Sequence, residues 1–418
     1  MIKIFIILIS LGILFYILTY PYSFKLLRKI RRVMTFDEIT YIENKDFDYD
    51  KISLQDFEKK LIVEKRILKS KGYIDEKLEY IVIKNRDEVR DNLPCLILLH
   101  GLRDCAEDCR IRENYLTLLK ENKIDKMNII LLNSGYEGMG WYTNFYNDKS
   151  HQYENCIIKE IIPQLKEEFP HSQFGIAGFS MGGYGAFKLG LKHLNLFKVV
   201  GSFSGATSIV RMSVNRRVIR IFNLLYIPKF LFSNEDKLHF LKVFGSWGYK
   251  ILKEDPYTLI KSLAKEKYSD RYFYTSVGEK DVETHLMLQQ WLDTVGRMKK
   301  HNYNFIGYLC KDETHTWEYV ARDLKNFLVY FDEKIRDMKL DIISVNSPLF
   351  LEKHLEGYTN SKVRYYTNEN GNLYEGKEVT TSENIGYGTK IFMYGVTKGL
   401  EIMSLPKAGL KKLLGAEN

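Results

Sequence analysis

From Leu78 onward, short apolar runs rich in β-branched residues alternate with longer amphipathic ones, and this rhythm limits the chain to few architectures. The runs are Tyr80–Lys84, Cys95–His100, Asn128–Leu132, Phe174–Gly178, Lys198–Ser202, Tyr272–Val277 and Phe305–Leu309. Between them lie the helical patterns Ile111–Glu121, Tyr153–Glu168, Gly183–His193, Leu286–Lys300 and Trp317–Lys334. Strands that alternate with helices predict an α/β fold whose mostly parallel sheet is covered on both faces. A continuous apolar strand such as Cys95-Leu96-Ile97-Leu98-Leu99 fits a sheet buried on both sides.

The flanks differ in texture. Residues 34–77 read as a charged connecting segment with a helical stretch at Leu54–Lys71. Residues 207–268 show no clear strand and read as a helical insertion in a domain spanning 78–338. That insertion carries Arg211, Arg216, Arg217 and Arg220, which would serve as a lid, rest on a membrane, or present a solvated face. If they cap a site, they would favour a substrate bearing phosphate or carboxylate. Residues 339–418 are rich in Tyr, Thr, Asn and Gly. Lys362–Tyr366, the turn Asn368–Asn372 and Thr389–Tyr394 predict a small β-rich module there.

The 17 residues Ile4–Tyr20 carry no charge, the short end of a bilayer-spanning helix. Tyr20-Pro21-Tyr22-Ser23 offers no small-residue cleavage site, so an uncleaved anchor over 1–33 is expected rather than a removed signal peptide. Lys25, Arg28, Lys29, Arg31 and Arg32 follow the run and only Lys3 precedes it. The expectation is a single-pass protein of the cell membrane with its bulk on the cytoplasmic side and its basic flank on lipid headgroups. The net charge of +9 is too diluted over 418 residues for a dedicated nucleic-acid binder, and no nucleic-acid partner is expected. Five scattered cysteines make no disulfide framework. Cys105 and Cys109 lack a second ligand pair, so idle thiols, no metal and no cofactor are expected.

The chemistry is concentrated in Gly178-Phe179-Ser180-Met181-Gly182-Gly183, between an apolar strand and a helical pattern. That context suits a nucleophile elbow, where a strained turn lifts the serine hydroxyl clear of the sheet. Serine is a weak nucleophile and needs a base, itself oriented by an acid. Of nine histidines, five lie downstream: His239, His285, His301, His315 and His354. His315 falls in a loop after an apolar strand, where such sheets carry reactive groups. His285 and His301 fall on or beside a helical pattern and read as surface residues. The preceding strand runs into Gly278-Glu279-Lys280-Asp281, making Asp281 the first choice of acid and Glu279 the second. The amides of Met181 and Leu102 would hold the tetrahedral oxyanion, and His100 in its His-Gly turn reads as shaping that loop.

The strings LLHG at 98–101, GFSMGGYGA at 178–186, GSFSGA at 201–206, DPYTL at 255–259, GEKD at 278–281 and HTWEY at 315–319 together resemble the Putative esterase family of α/β hydrolases. That family includes S-formylglutathione hydrolases, feruloyl esterases and mycolyltransferases. The resemblance covers about residues 78–335. It implies Ser180, Asp281 and His315 as catalytic residues, Leu102 and Met181 as oxyanion donors, and Trp317 packed beside the histidine. It also implies that His100, Gly101, Trp141, Tyr142 and Trp317 border the substrate. The anchor, the charged segment Leu102–Arg110 and the C-terminal module depart from the family pattern. The expectation is a serine esterase acting on a small-molecule or saccharide ester, in the setting of a cell-envelope polysaccharide or its precursor. Acyl transfer by the same residues and an inactive membrane scaffold are the alternatives.

Overall fold

The computed structural model describes residues 9–11, 41–42, 59–86, 92–109, 111–193, 195–209, 212, 239–240, 242–245, 252–262, 271–281, 287–336, 364–367 and 373–376. Most of the apolar run, the basic flank, the four insertion arginines and Thr389–Tyr394 lie outside the described residues. Among those described, no helix is long and apolar enough to cross a membrane.

Among the described residues, nine strands form one sheet: β1 (Tyr41–Ile42), β2 (Leu61–Lys69), β3 (Lys77–Asn85), β4 (Cys95–Leu99), β5 (Asn128–Leu132), β6 (Phe174–Phe179), β7 (Val199–Phe203), β8 (Tyr272–Gly278) and β9 (Phe305–Cys310). Their order is β2-β3-β5-β4-β6-β7-β8-β9-β1. The pairs β2–β3 and β3–β5 are antiparallel, and all others are parallel. The chain leaves β4 to one side for β5 and returns to the other side for β6. The crevice at such a reversal, beyond the carboxyl ends of the strands, is where open α/β sheets hold ligands.

The helices are α1 (Arg112–Lys120), α2 (Tyr153–Cys156), α3 (Ile162–Glu168), α4 (Met181–Lys192), α5 (Pro256–Ser262), α6 (Met287–Lys300) and α7 (Trp317–Arg336); a π-helical turn, Ile157–Ile161, joins α2 to α3. Strand β4 shows how two cores arise from one strand. Its Cys95, Ile97 and Leu99 enter the layer packed by α2, α3, α4 and α6, while Leu96 and Leu98 enter the layer packed by α1 and α7. Alternate side chains of a strand point to opposite faces, so a doubly covered strand is apolar throughout.

Two expectations change. The stretch Leu54–Lys71, read as helical, contains the nine-residue strand β2 paired with β3. Glu64, Lys65 and Arg66 are good helix formers, but β2 is an edge strand. Its exposed positions tolerate charge, and pairing with β3 overrides local propensity. The connecting segment therefore supplies part of the sheet. In the C-terminal region, β10 (Arg364–Thr367) and β11 (Leu373–Gly376) pair antiparallel, flanking the anticipated Asn-Gly turn. Of the described residues in 207–268, Leu252–Glu254 and α5 are helical.

Cys95, Cys109, Cys156 and Cys310 are buried free thiols, and burial pushes Cys95 up to about 12; Cys105 is exposed.

Candidate active site

Ser180 sits between the last residue of β6 and the first of α4, with φ 55° and ψ −113°. A non-glycine residue at positive φ is strained, and the surrounding bonds hold it there. The Ser180 amide donates to the Phe203 carbonyl at 2.9 Å, and its carbonyl accepts from the Tyr184 and Ala206 amides at 3.0 and 3.1 Å. The glycine after the turn is a matter of space. A Cβ on Gly182 would stand 2.2 Å from the Leu99 carbonyl oxygen, so the helix can meet the end of β4 only without a side chain there.

His315 lies in the loop between β9 and α7. Its Nδ1 donates to Asp281 Oδ2 at 2.6 Å, and its Nε2 accepts from the Ser180 hydroxyl at 2.8 Å. A carboxylate only accepts, which fixes the tautomer: the imidazole proton is on Nδ1 and Nε2 is free to take another. Asp281 is 6% exposed, whereas the His315 side chain is 30% exposed. Glu279, the second candidate acid, points elsewhere; its carboxylate accepts from the Asp312 amide at 3.4 Å. The acid and histidine loops are joined by backbone: Glu279 N donates to Cys310 O, and Lys280 N to Glu313 O. A Cβ on Gly278 would lie 2.4 Å from the Glu313 carbonyl oxygen, so glycine is what permits that seam. Two ion pairs brace it, Lys280 with Asp312 at 2.8 Å and Arg322 with Glu313 at 2.7 Å.

A cavity of about 430 Å³ opens over Ser180. Gly101, Leu102, Trp141, Met181 and Trp317 line it. Among the described residues, neither the Leu102 nor the Met181 amide has a hydrogen-bond partner. Both remain available as donors, and Met181 also opens α4, whose N-terminal end favours negative charge. Trp317 reaches the histidine through Phe179, whose ring lies 5.0 Å from the indole and 4.7 Å from the His315 ring.

Two expected substrate contacts are corrected. His100 is fully buried: Nδ1 donates to the Gly101 carbonyl at 2.7 Å and Nε2 accepts from the Ser134 amide at 3.0 Å. Burial lowers its pKa, in keeping with a neutral ring that shapes the loop from behind. Tyr142 is also fully buried, and its hydroxyl donates to the His100 carbonyl at 3.2 Å. Neither borders the cavity: His100 bridges the Gly101 carbonyl and the Ser134 amide, and Tyr142 holds the His100 carbonyl from behind. Asp104, Met212, Met287, Thr316 and Glu318 do border it and were not anticipated. For Asp104 there was a signal, a carboxylate in the unusually charged stretch after Leu102. Met212 and Met287 arrive through tertiary packing alone.

A strand, a strained serine turn, a glycine-bearing helix and a serine–histidine–aspartate chain at the carboxyl edge of a mostly parallel sheet define an α/β hydrolase. More narrowly, the chain belongs to the Putative esterase family, whose sequence model matches residues 74–331. Among solved structures, an S-formylglutathione hydrolase from Agrobacterium tumefaciens is similar at a TM-score of 0.51 and 16% identity, covering 66% of this chain and 96% of that one. A ferulic acid esterase (TM-score 0.49, 19% identity) covers 66% and 99%. An S-formylglutathione hydrolase from Staphylococcus aureus (0.47, 19%) also covers 66% and 99%. The first of these likenesses supports the fold. A comparison with curated proteins found no match.

Proposed function

We propose that this chain is a serine esterase that cleaves a carboxylic ester through an acyl-Ser180 intermediate. The observation that carries the reading is the hydrogen-bonded chain from Ser180 Oγ through His315 to Asp281, in a cavity also lined by Leu102 and Met181. His315 Nε2 takes the hydroxyl proton as Oγ bonds to the ester carbonyl carbon, and the carbonyl oxygen gains charge between the two amides. Collapse breaks the bond to the alcohol oxygen, which leaves with the proton from His315. Water then repeats the sequence, with His315 as base, and frees the acid. Asp281 stabilises the imidazolium that forms each time.

A fluorophosphonate probe tests this reading. Labelling of the wild type and not of Ser180→Ala supports it. No labelling of either overturns it in favour of the scaffold. An alcohol acceptor that outcompetes water for acyl-Ser180 assigns acyl transfer instead of hydrolysis. The setting we propose is the cytoplasmic face of a membrane, on a cell-envelope saccharide ester, supported by the uncharged Ile4–Tyr20 run and the basic residues that follow it. Exposed Cys105 reports the side: reaction with an impermeant maleimide in intact cells overturns the cytoplasmic placement.

A further inference from the structure

The cavity over Ser180 has two unlike walls. One consists of Trp141, Met181, Met212 and Met287, each no more than 4% exposed and each part of the core layer beneath α4 and α6. The other consists of Trp317, Asp104 and Glu318, with Phe179 behind them. Asp104 is held in place there, its Oδ2 accepting from the Trp317 indole N–H at 3.0 Å. Among the described residues, its other oxygen takes no hydrogen bond. The described lining contains no lysine or arginine.

The chemistry decides which half of an ester meets which wall. His315 must deliver its proton to the departing alcohol oxygen, so the alcohol lies on the side of His315 Nε2. Residues 316–318 follow His315 directly and border that side, with Asp104 tied to them through Trp317. The acyl group is left to the methionine wall, whose unbranched, polarizable side chains adapt to chains of differing shape.

We propose, resting on the esterase reading above, that Asp104 and Glu318 select the alcohol half of the substrate. The cavity takes esters of apolar acids with alcohols that are uncharged or cationic, and it disfavours alcohols bearing a carboxylate or phosphate. A hydroxyl or ammonium group can donate to the open oxygen of Asp104, whereas an anion meets two carboxylates in a partly desolvated cleft.

The test compares hexanoate esters of choline, ethylene glycol and glycolic acid, with acid release followed by titration at constant pH. Wild type should favour the choline over the glycolate ester by about tenfold in kcat/KM, with the glycol ester between. Asp104→Asn keeps an acceptor for the Trp317 N–H and should narrow that ratio severalfold, as should about 1 M salt, where the Debye length falls to about 3 Å. Glu318→Gln, at an exposed position, should narrow it less. On the acyl side, the acetate ester of ethylene glycol should be poorer than the hexanoate, and Met287→Ala should shift that preference. A glycolate ester used as well as the choline ester overturns the proposal, as does a ratio untouched by both carboxylate variants. If Ser180 labels with fluorophosphonate and the glycol ester is hydrolysed, such a result sinks the selectivity alone. Absence of both labelling and hydrolysis sinks the esterase reading and this inference with it.

Discussion

Lys188, on the helix that begins at the serine turn, is completely buried with its ammonium 2.8 Å from the Glu154 carboxylate and 2.8 Å from the Tyr142 carbonyl oxygen. Lys192, His193 and Glu254 extend the cluster, and Thr143 donates to Glu254. The network thus ties α4 to the loop that carries Trp141. Lys188→Ala leaves Glu154 buried beside fewer cations and should cost about 3–5 kcal/mol. Chemical denaturation checks the loss, and the Lys188→Met/Glu154→Gln double variant should recover part of it.

The same cluster gives an acid dependence. Burial pushes the Glu154 carboxyl up, but Lys188, His193 and Lys192 outweigh it and hold the pKa below its ordinary 4.5. A depressed carboxylate contributes stability that is full above the unfolded value and fades as pH falls below about 4.5, towards the folded one. Glu154→Gln should therefore be less stable than wild type at pH 7, and the gap should narrow on titration below pH 4.5. Melting temperatures measured between pH 7 and pH 3 test this; a gap that widens in acid would contradict it.

Ser180→Ala should lower kcat by about 10⁴-fold or more while leaving the melting temperature close to wild type. Ser180→Gly should lose activity equally but gain about 1 kcal/mol of stability, since glycine accepts φ 55° at little cost. Equal stability of the two variants would mean the turn stores no strain.

The acid is decided by a pair of substitutions. Asp281→Asn should lower kcat by about 10³–10⁴-fold, because the amide can no longer hold the imidazole in its productive tautomer. Glu279→Gln should stay within about twofold of wild type in the same ester assay, since its carboxylate faces Asp312 and not His315.

Gly278→Ala puts a methyl group 2.4 Å from the Glu313 carbonyl oxygen. Backbone on both sides must shift, at a cost of about 1–3 kcal/mol. Because the displaced loop carries His315, kcat should fall with stability. A variant with full activity would show that the seam does not position the histidine.

Strands β4 to β9 and the serine, histidine and aspartate were legible in the sequence because burial on both faces leaves uninterrupted apolar runs, with reactive residues just past their ends. Strand β2 was not, since alternate exposure on a sheet edge admits Glu64, Lys65 and Arg66, which locally favour a helix. The family resemblance makes His100 and Tyr142 substrate contacts, yet their polar atoms are taken up by backbone at Gly101, Ser134 and His100 itself. The methionine wall was invisible for the opposite reason: Met212 and Met287 are ordinary apolar residues until the fold brings them within reach of Ser180.

The bond between Ser204 N and Ser276 O, together with that between Ser180 N and Phe203 O, makes the end of β7 a spacer. On one side it grips the nucleophile turn, and on the other the strand that carries the acid. The acid and histidine loops, sewn together at Glu279–Cys310 and Lys280–Glu313, then behave as one jaw, and the serine turn as the other. The jaws stand two strand spacings apart, about 9.6 Å, with β7 between them, and a hydrogen-bonded strand barely compresses. A chain built this way has little freedom to mis-set its own reach: a fault in alignment would have to come from a slip in the register of β7 against β6 or β8.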